Sequence, residues 1–277
     1  MQPVAEGLLA AAKMLQSSAE GSSKFVFLDE IGYLESHHAE YTAAMDALFA
    51  QKRVIAAVRA QPLPFLQKQL ARTNALVLDL DAPAGRMGCV IMASGLGRRF
   101  GGSKLLVPFL GRPLLEYAIH ASEGVFADRV LVTRNAEAAD FARKQGVRVV
   151  LHEEPYRSDT VRLGLNALQP GLTGAVFCPA DQPCLKAQTL LALGAAGQSA
   201  PEFLWRAAYG ERAGAPAAFS QRYFEELLHL PMGKGGNTVL RRHELRVKTV
   251  QAQSALELAD IDTKQDLADL SALLKGL

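Results

Sequence analysis

From Cys89 to the C-terminus, short apolar runs alternate with stretches of helical spacing. "CVIMAS", "RVLVTR", "VRVVLH" and "GAVFCP" have the length and bounding residues of buried strands. "PLLEYAIHASEG", "AEAADFARKQG" and "DTVRLGLNALQ" lie between them and repeat apolar residues at three- and four-residue intervals, as helices do. Further helices are expected at "QTLLALGAAG", at "QRYFEELLHL" and from "DTKQDLADLSALL". Successive strands that run the same way need a crossover, and crossover helices cover the sheet. The expected class is α/β, a parallel sheet with helices on both faces.

The first part of the chain repeats the pattern on a smaller scale. "VAEGLLAAAKMLQ" reads as a helix, "KFVFLDEIGYLE" as a strand and "YTAAMDALFAQ" as a helix. "RVIAAVR" is a second strand, "PLPFLQKQLART" a helix and "ALVLDL" a third strand. "DAPAGRMG", Asp81 to Gly88, is rich in Pro and Gly and reads as a linker. Two domains are expected, 1–85 and 86–277. With 49% hydrophobic and 21% charged residues, the chain can bury a sizeable core. A net charge of +2 argues against nucleic-acid binding through bulk electrostatics. No apolar stretch approaches the ~18–20 residues of a membrane span, and no basic-then-apolar leader opens the chain. Cys89, Cys178 and Cys184 are odd in number and form no CxxC. Reduced, buried thiols in a cytoplasmic protein are expected.

The strand "CVIMAS" runs into "GLGRRFGGSK". The loop is not a Walker A sequence, since no Ser or Thr follows Lys104. It also misses the dinucleotide fingerprint by one residue, and the expected acidic partner is absent from a strand end. The physical features remain. Gly95, Gly97 and Gly101 let backbone N–H groups approach an anion, and Arg99 and Lys104 add positive charge. That combination suits a triphosphate whose leaving pyrophosphate must be neutralised. The competing reading is an ordinary turn with solvated basic residues.

"VFCPADQPCL" puts Asp181 just beyond the C-terminal end of an apolar strand, where open α/β sheets bind ligands. An aspartate there suits Mg²⁺, which takes one or two carboxylates plus phosphate oxygens. Near the end, "LADIDTKQDL" offers Asp260 and Asp262. Asp262 or Thr263 is also placed to cap the last helix, so the metal role goes first to Asp260. His120, His152, His229 and His243 show no metal-ligand spacing, and surface or packing roles are expected of them.

Taken in order, these segments resemble the MobA-like nucleotidyltransferases, which include molybdenum cofactor cytidylyl- and guanylyltransferases. The carriers are the loop from Met92 to Lys104, "LLVPFLGRPLLEYAI", "PADQP", "GAPAAFSQRYFEELLHL" and "DIDTKQDL", over residues 87–277. The resemblance implies a Rossmann-like, mostly parallel sheet and a Mg²⁺-dependent transfer of a nucleoside monophosphate to a phosphorylated acceptor. By it, Arg99, Lys104 and Asp181 are catalytic, and Asp181, Asp260 and Asp262 hold the metal. Ala93, Ser94, Gly95, Gly97 and Gly101 line the nucleotide. Ser158 and Thr160 stand for the two serines of the cytidylyl branch, which favours CTP, though Tyr156 stands where glycine is expected. Ser158 reads equally as a helix cap. Lys234 replaces an acid of the family pattern and suits an anionic acceptor, or is simply solvated. The implied acceptor is molybdopterin, with a molybdenum hydroxylase as a possible downstream partner. A GTP-using or other-acceptor enzyme, or a non-catalytic pterin carrier, is the alternative.

"VFLDEIGYLES" resembles the Walker B strand of a P-loop nucleoside triphosphatase, with Asp29 and Glu30 as its acids. No Walker A loop accompanies it, so hydrolysis by this half is not expected. Residues 1–85 read as the back part of such a domain, either truncated or turned into a scaffold, with exposed apolar surface.

Overall fold

A computed structural model describes residues 5–276 apart from 34, 60, 62, 71 and 73–84. The chain divides into two compact units, 1–75 and 76–277. The strand expected at "ALVLDL", Ala75 to Leu80, and the first part of the linker lie outside the described residues.

In the first unit α1 (Ala5–Glu20), β1 (Phe25–Ile31), α2 (Ala39–Gln51), β2 (Arg53–Val58) and α3 (Pro64–Leu70) follow one another. β1 and β2 pair in parallel, Phe25 opposite Arg53. Strand alternation sends Val26, Leu28, Val54 and Ala56 into a core with Leu15, Met45, Leu48 and Leu66. The opposite set, Phe25, Phe27 and Ile55, is exposed, Phe27 by 73%. Of the two Walker B-like acids, Glu30 accepts a hydrogen bond from Arg59.

The second unit contains β3 (Met87–Ala93), β4 (Pro108–Phe109), β5 (Arg112–Pro113), α4 (Leu114–Ala121), β6 (Asp128–Thr133), α5 (Ala136–Lys144) and β7 (Arg148–Leu151). It continues with α6 (Arg157–Ala167), β8 (Gly174–Pro179), α7 (Ala187–Ser199), β9 (Leu204–Tyr209) and β10 (Arg212–Ser220). It ends with α8 (Phe224–Leu228), α9 (Asn237–Arg242), β11 (Val247–Gln251) and α10 (Lys264–Lys275). Seven strands form one sheet in the order β11-β9-β10-β8-β3-β6-β7. β10 runs antiparallel to β8 and β9, and the other pairings in this sheet are parallel.

Helices cover both faces, as expected. Cys89, Ile91, Leu131 and Cys178 pack with Leu115 and Ile119 of α4, Ala142 of α5 and Leu190 of α7. Val90, Val130, Val132 and Phe177 pack with Val161 and Leu165 of α6, Leu227 of α8 and Val239 of α9. α6 sits close on the sheet at Gly164, where a Cβ would lie 2.4 Å from Val90 Cγ1. A smaller cluster joins Phe100, Phe109, Leu114, Ile261 and Leu270, tying the glycine loop to the C-terminal segment.

The sequence reading placed no strands between α7 and the C-terminus, and β9, β10 and β11 correct it. "LWRAAYGERAGAPAAFS" is rich in Ala and Gly and lacks β-branched residues, so its strand propensity is weak. Pairing with β8 and the turn at Gly210, φ 58°, make the hairpin. The helix expected at "QRYFEELLHL" is a 3₁₀ turn followed by the short α8.

From β3 the chain moves outward to β6 and β7, and α6 returns it to β8 on the other side of β3. The C-terminal ends of β3 and β8 therefore flank a topological switch point, where connections diverge and leave a crevice.

Candidate active site

The glycine loop leaves β3 at this switch point. Gly97 adopts φ 58°, and a Cβ there would lie 2.0 Å from the Gly102 carbonyl oxygen. No other residue fits. The Gly97 carbonyl accepts the N–H groups of Phe100, Gly101 and Gly102, and Phe100 plugs the loop into the core. Gly101 is also left-handed, with φ 90°, and Gly95 has open space around its Cα. Ala93 is buried at the strand end, and its carbonyl accepts from Thr133 Oγ1.

Lys104, at the end of the loop, is the centre of the site. Its side chain is only 7% exposed. Nζ lies 2.8 Å from Asp181 Oδ2, 3.0 Å from Asp262 Oδ1 and 2.6 Å from the Ile261 carbonyl. Those acceptors match the three protons of an ammonium. Burial works to lower the Lys104 pKa, but the charges and hydrogen bonds of Asp181 and Asp262 outweigh it, and the net shift is upward. Arg99 Nη2 lies 2.8 Å from the other oxygen of Asp262 and is largely exposed. The buried Ile261 holds the two acidic segments together, its N–H donating to the Asp181 carbonyl at 2.9 Å.

Asp262 is not the cap of the last helix, the role that the sequence reading favoured for it. Thr263 caps α10, accepting from Asp266 N–H, while Asp266 accepts from the N–H groups of Asp262 and Thr263. This capping box frees the Asp262 carboxylate to face Lys104. Asp260 instead accepts from Gln182 Nε2 at 3.0 Å. Burial first, and then the Asp181 charge, raise its pKa.

Among the described residues no group of three or more His, Cys, Asp or Glu is arranged to hold a metal by itself. The hard oxygen donors of Asp181 and Asp262, brought to one ammonium, do fit a cation that completes its shell with water and phosphate oxygens. Mg²⁺ has that habit.

A cavity of about 410 Å³ opens beside this centre. Ser94, Gly95, Arg134, Thr160, Phe177 and Asp181 are among the residues that line it. Thr160 thus reaches the cavity. Ser158 does not line it; its hydroxyl accepts from Gly233 N–H at 3.3 Å, and Tyr156 is the helix cap.

The sequence reading took "RVLVTR" only as a strand and missed three consecutive residues at its end. Thr133 Oγ1 donates to the Ala93 carbonyl, Arg134 donates to the Ser94 carbonyl, and Asn135 Nδ2 donates to Ser103 Oγ. The signal was positional: polar residues at the C-terminal end of a strand beside the switch strand.

His152 was expected to have a packing role, and it has a defined polar one. Its Nε2 lies 2.8 Å from Ser94 Oγ. Ser94 Oγ donates to the Val132 carbonyl, so Nε2 carries the proton and donates to Ser94. Nδ1 is buried without a partner among the described residues, which leaves it unprotonated. Burial chiefly, and then the Arg134 charge, lower the His152 pKa. The neutral imidazole is the folded form at neutral pH. Its stabilising contribution is complete above the ordinary histidine pKa of about 6.5 and is lost as pH falls through the lowered value. We expect activity and melting temperature to fall together on that acidic limb, and His152→Gln to flatten it. Superimposable acidic limbs for the two proteins would contradict this.

The chain is similar to proteins already known. The model of the MobA-like NTP transferase domain matches residues 89–247. The purine catabolism protein PucB of Bacillus subtilis is 27% identical over 64% of this chain and 92% of its own. A probable molybdenum cofactor guanylyltransferase of Bacillus licheniformis is 26% identical over 68% of this chain and 97% of its own. The crystal structure of Rv0371c from Mycobacterium tuberculosis, 26% identical, covers 67% of this chain and 98% of its own at a TM-score of 0.60. The same protein in complex with manganese covers the same shares at a TM-score of 0.56. With its mostly parallel sheet and its glycine loop at the switch point, the chain belongs to the MobA-like NTP transferase family and is a nucleotidyltransferase.

Proposed function

We infer that the second unit moves a nucleoside monophosphate from a nucleoside triphosphate, CTP first, to a phosphorylated acceptor of the molybdopterin kind. One observation carries this reading. The Lys104 ammonium sits between Asp181 and Asp262 at the end of a glycine loop, so phosphate-binding cations and metal-binding carboxylates meet in one crevice. An acceptor phosphate oxygen attacks the α-phosphorus, a new P–O bond forms, and the α–β bridging bond breaks to release pyrophosphate. Positioning and charge neutralisation suffice for such a reaction, without a covalent enzyme intermediate.

Each residue then has a task. Lys104 and Arg99 exchange carboxylate partners for phosphate oxygens and hold the developing charge. Gly95, Gly97 and Gly101 keep the loop backbone near the triphosphate, with Ala93 and Ser94 at its root. Thr160 faces the nucleotide from α6, while Ser158 anchors the segment at Gly233. Mg²⁺ would be held by Asp181 and Asp262, with Asp260 behind them on Gln182, and would supply charge neutralisation across the phosphate oxygens. The manganese complex of Rv0371c supports metal dependence.

A second reading keeps the fold and takes GTP, and the Bacillus licheniformis relative, named as a guanylyltransferase, favours it. Cytoplasmic location and hand-over to a molybdenum hydroxylase belong to the same proposal. Among the described residues no helix is long and apolar enough to cross a membrane. Residues 1–85 are proposed as a P-loop-like scaffold that does not hydrolyse nucleotides, because a Walker B-like strand without a Walker A loop has no cradle for the β- and γ-phosphates. The panel that tests the reading is pyrophosphate release with Mg²⁺, molybdopterin and each of CTP, GTP, ATP and UTP. CTP is expected to serve. Release with GTP alone establishes the second reading. No release from folded protein that binds the pterin moves the role to a carrier.

A further inference from the structure

Arg134 is a cation without a carboxylate partner among the described residues, and its donors are spent on backbone. Nε and Nη2 donate to the Ser94 carbonyl at 3.0 and 2.8 Å, and Nη1 donates to the Pro155 carbonyl at 3.3 Å. Guanidinium N–H bonds lie in the plane of the group. Three bonds to two loops therefore fix that plane, and the same side chain lines the cavity. A guanidinium held by its edge offers its flat face, a surface on which a nucleobase stacks.

Position supports the same assignment. Along the C-terminal edge the order is Asp181 after β8, the glycine loop after β3, Arg134 after β6 and Pro155 beyond β7. Neighbouring strands lie about 4.8 Å apart, so Arg134 stands roughly 10 Å from the Asp181 strand. That is the direction and scale of the reach from a nucleotide's phosphates to its base. Thr160 lines the same cavity, and the carboxylate among the described lining residues is Asp181, which already holds Lys104.

We propose that Arg134 is a nucleotide-binding residue whose guanidinium plane stacks against the base of the bound nucleoside triphosphate. This rests on the reading of the crevice as a triphosphate site. Stacking contributes affinity to every base and little discrimination among them, because each base has a π-face. Discrimination then falls to groups that meet the edge of the base, and Arg157 and Thr160 are polar side chains of α6 that line the cavity.

The test is calorimetric titration of the full chain with CTP, GTP and tripolyphosphate in Mg²⁺. Tripolyphosphate carries the phosphates without ribose or base. The proteins are wild type, Arg134→Ala and Arg134→Lys, each checked for an unchanged melting temperature. Loss of a base stack is expected to raise the Kd for both nucleotides about tenfold or more. Tripolyphosphate affinity is expected to stay within about twofold, by the same separation of base from phosphate contacts. Arg134→Lys keeps the charge and loses the plane, so it is expected to behave like the alanine variant. Equal losses for nucleotides and tripolyphosphate would make Arg134 a brace or phosphate contact and overturn the inference. So would lysine variants that bind like wild type, or a wild type that binds nucleotide no better than tripolyphosphate. A wild type that binds none of the three overturns the triphosphate reading itself.

Discussion

Lys104→Met is expected to lower turnover about a thousandfold, since deleting one preorganised stabiliser of developing charge costs 10²–10³ and this one touches both halves of the site. The substitution preserves the volume of the stem and removes only the ammonium. It leaves Asp181 and Asp262 facing each other without the charge that joins them. Removing one partner of a fully buried pair costs about 3–5 kcal/mol, but these carboxylates are about a third exposed. Solvent screening should therefore hold the stability loss to roughly 1 kcal/mol. The signature is a large kcat defect in a protein with a near-normal urea midpoint. A variant with wild-type turnover would remove Lys104 from the reaction.

Glu257→Ala carries the largest expected effect on stability, about 3 kcal/mol in urea unfolding, because three donors lose a charged acceptor at a buried position. Glu257 is completely buried. One oxygen accepts from Thr189 Oγ1 at 2.5 Å and from Lys186 N–H at 3.2 Å, and the other from Gln253 N–H at 2.8 Å. The carboxylate thereby joins the start of α7 to the turn just before Asp260. Glu257→Gln keeps an acceptor and should lose clearly less. The alanine variant, assayed below its unfolding range, should also show weaker metal activation, because the segment bearing Asp260 and Asp262 loses an anchor. An alanine variant as stable as wild type would contradict this.

The parallel core was legible because β3, β6, β7 and β8 announce themselves as short apolar runs between helical patterns. β9 and β10 were not, because their strand character comes from pairing with β8 rather than from an alanine-rich sequence. Arg99, Lys104 and Asp181 were found as glycine-loop and strand-end residues, and the structure places Lys104 on Asp181 and Arg99 on Asp262. Asp262 was read as a cap because sequence does not show which of two adjacent residues turns its side chain to the helix. The capping box of Thr263 with Asp266 settles that locally. Arg134 and His152 were missed because their significance lies in contacts with Ser94, which is distant in sequence.

The most direct test of the central claim, that Asp181 and Lys104 form the working centre of a triphosphate site, is pyrophosphate release by wild type and Asp181→Ala side by side. The assay contains Mg²⁺, molybdopterin and whichever nucleotide the wild type prefers. Release by the wild type, with a loss of about a thousandfold in the variant, is the predicted result. Equal release by both proteins would contradict the account, because the reaction would then proceed without the carboxylate on which the crevice is built.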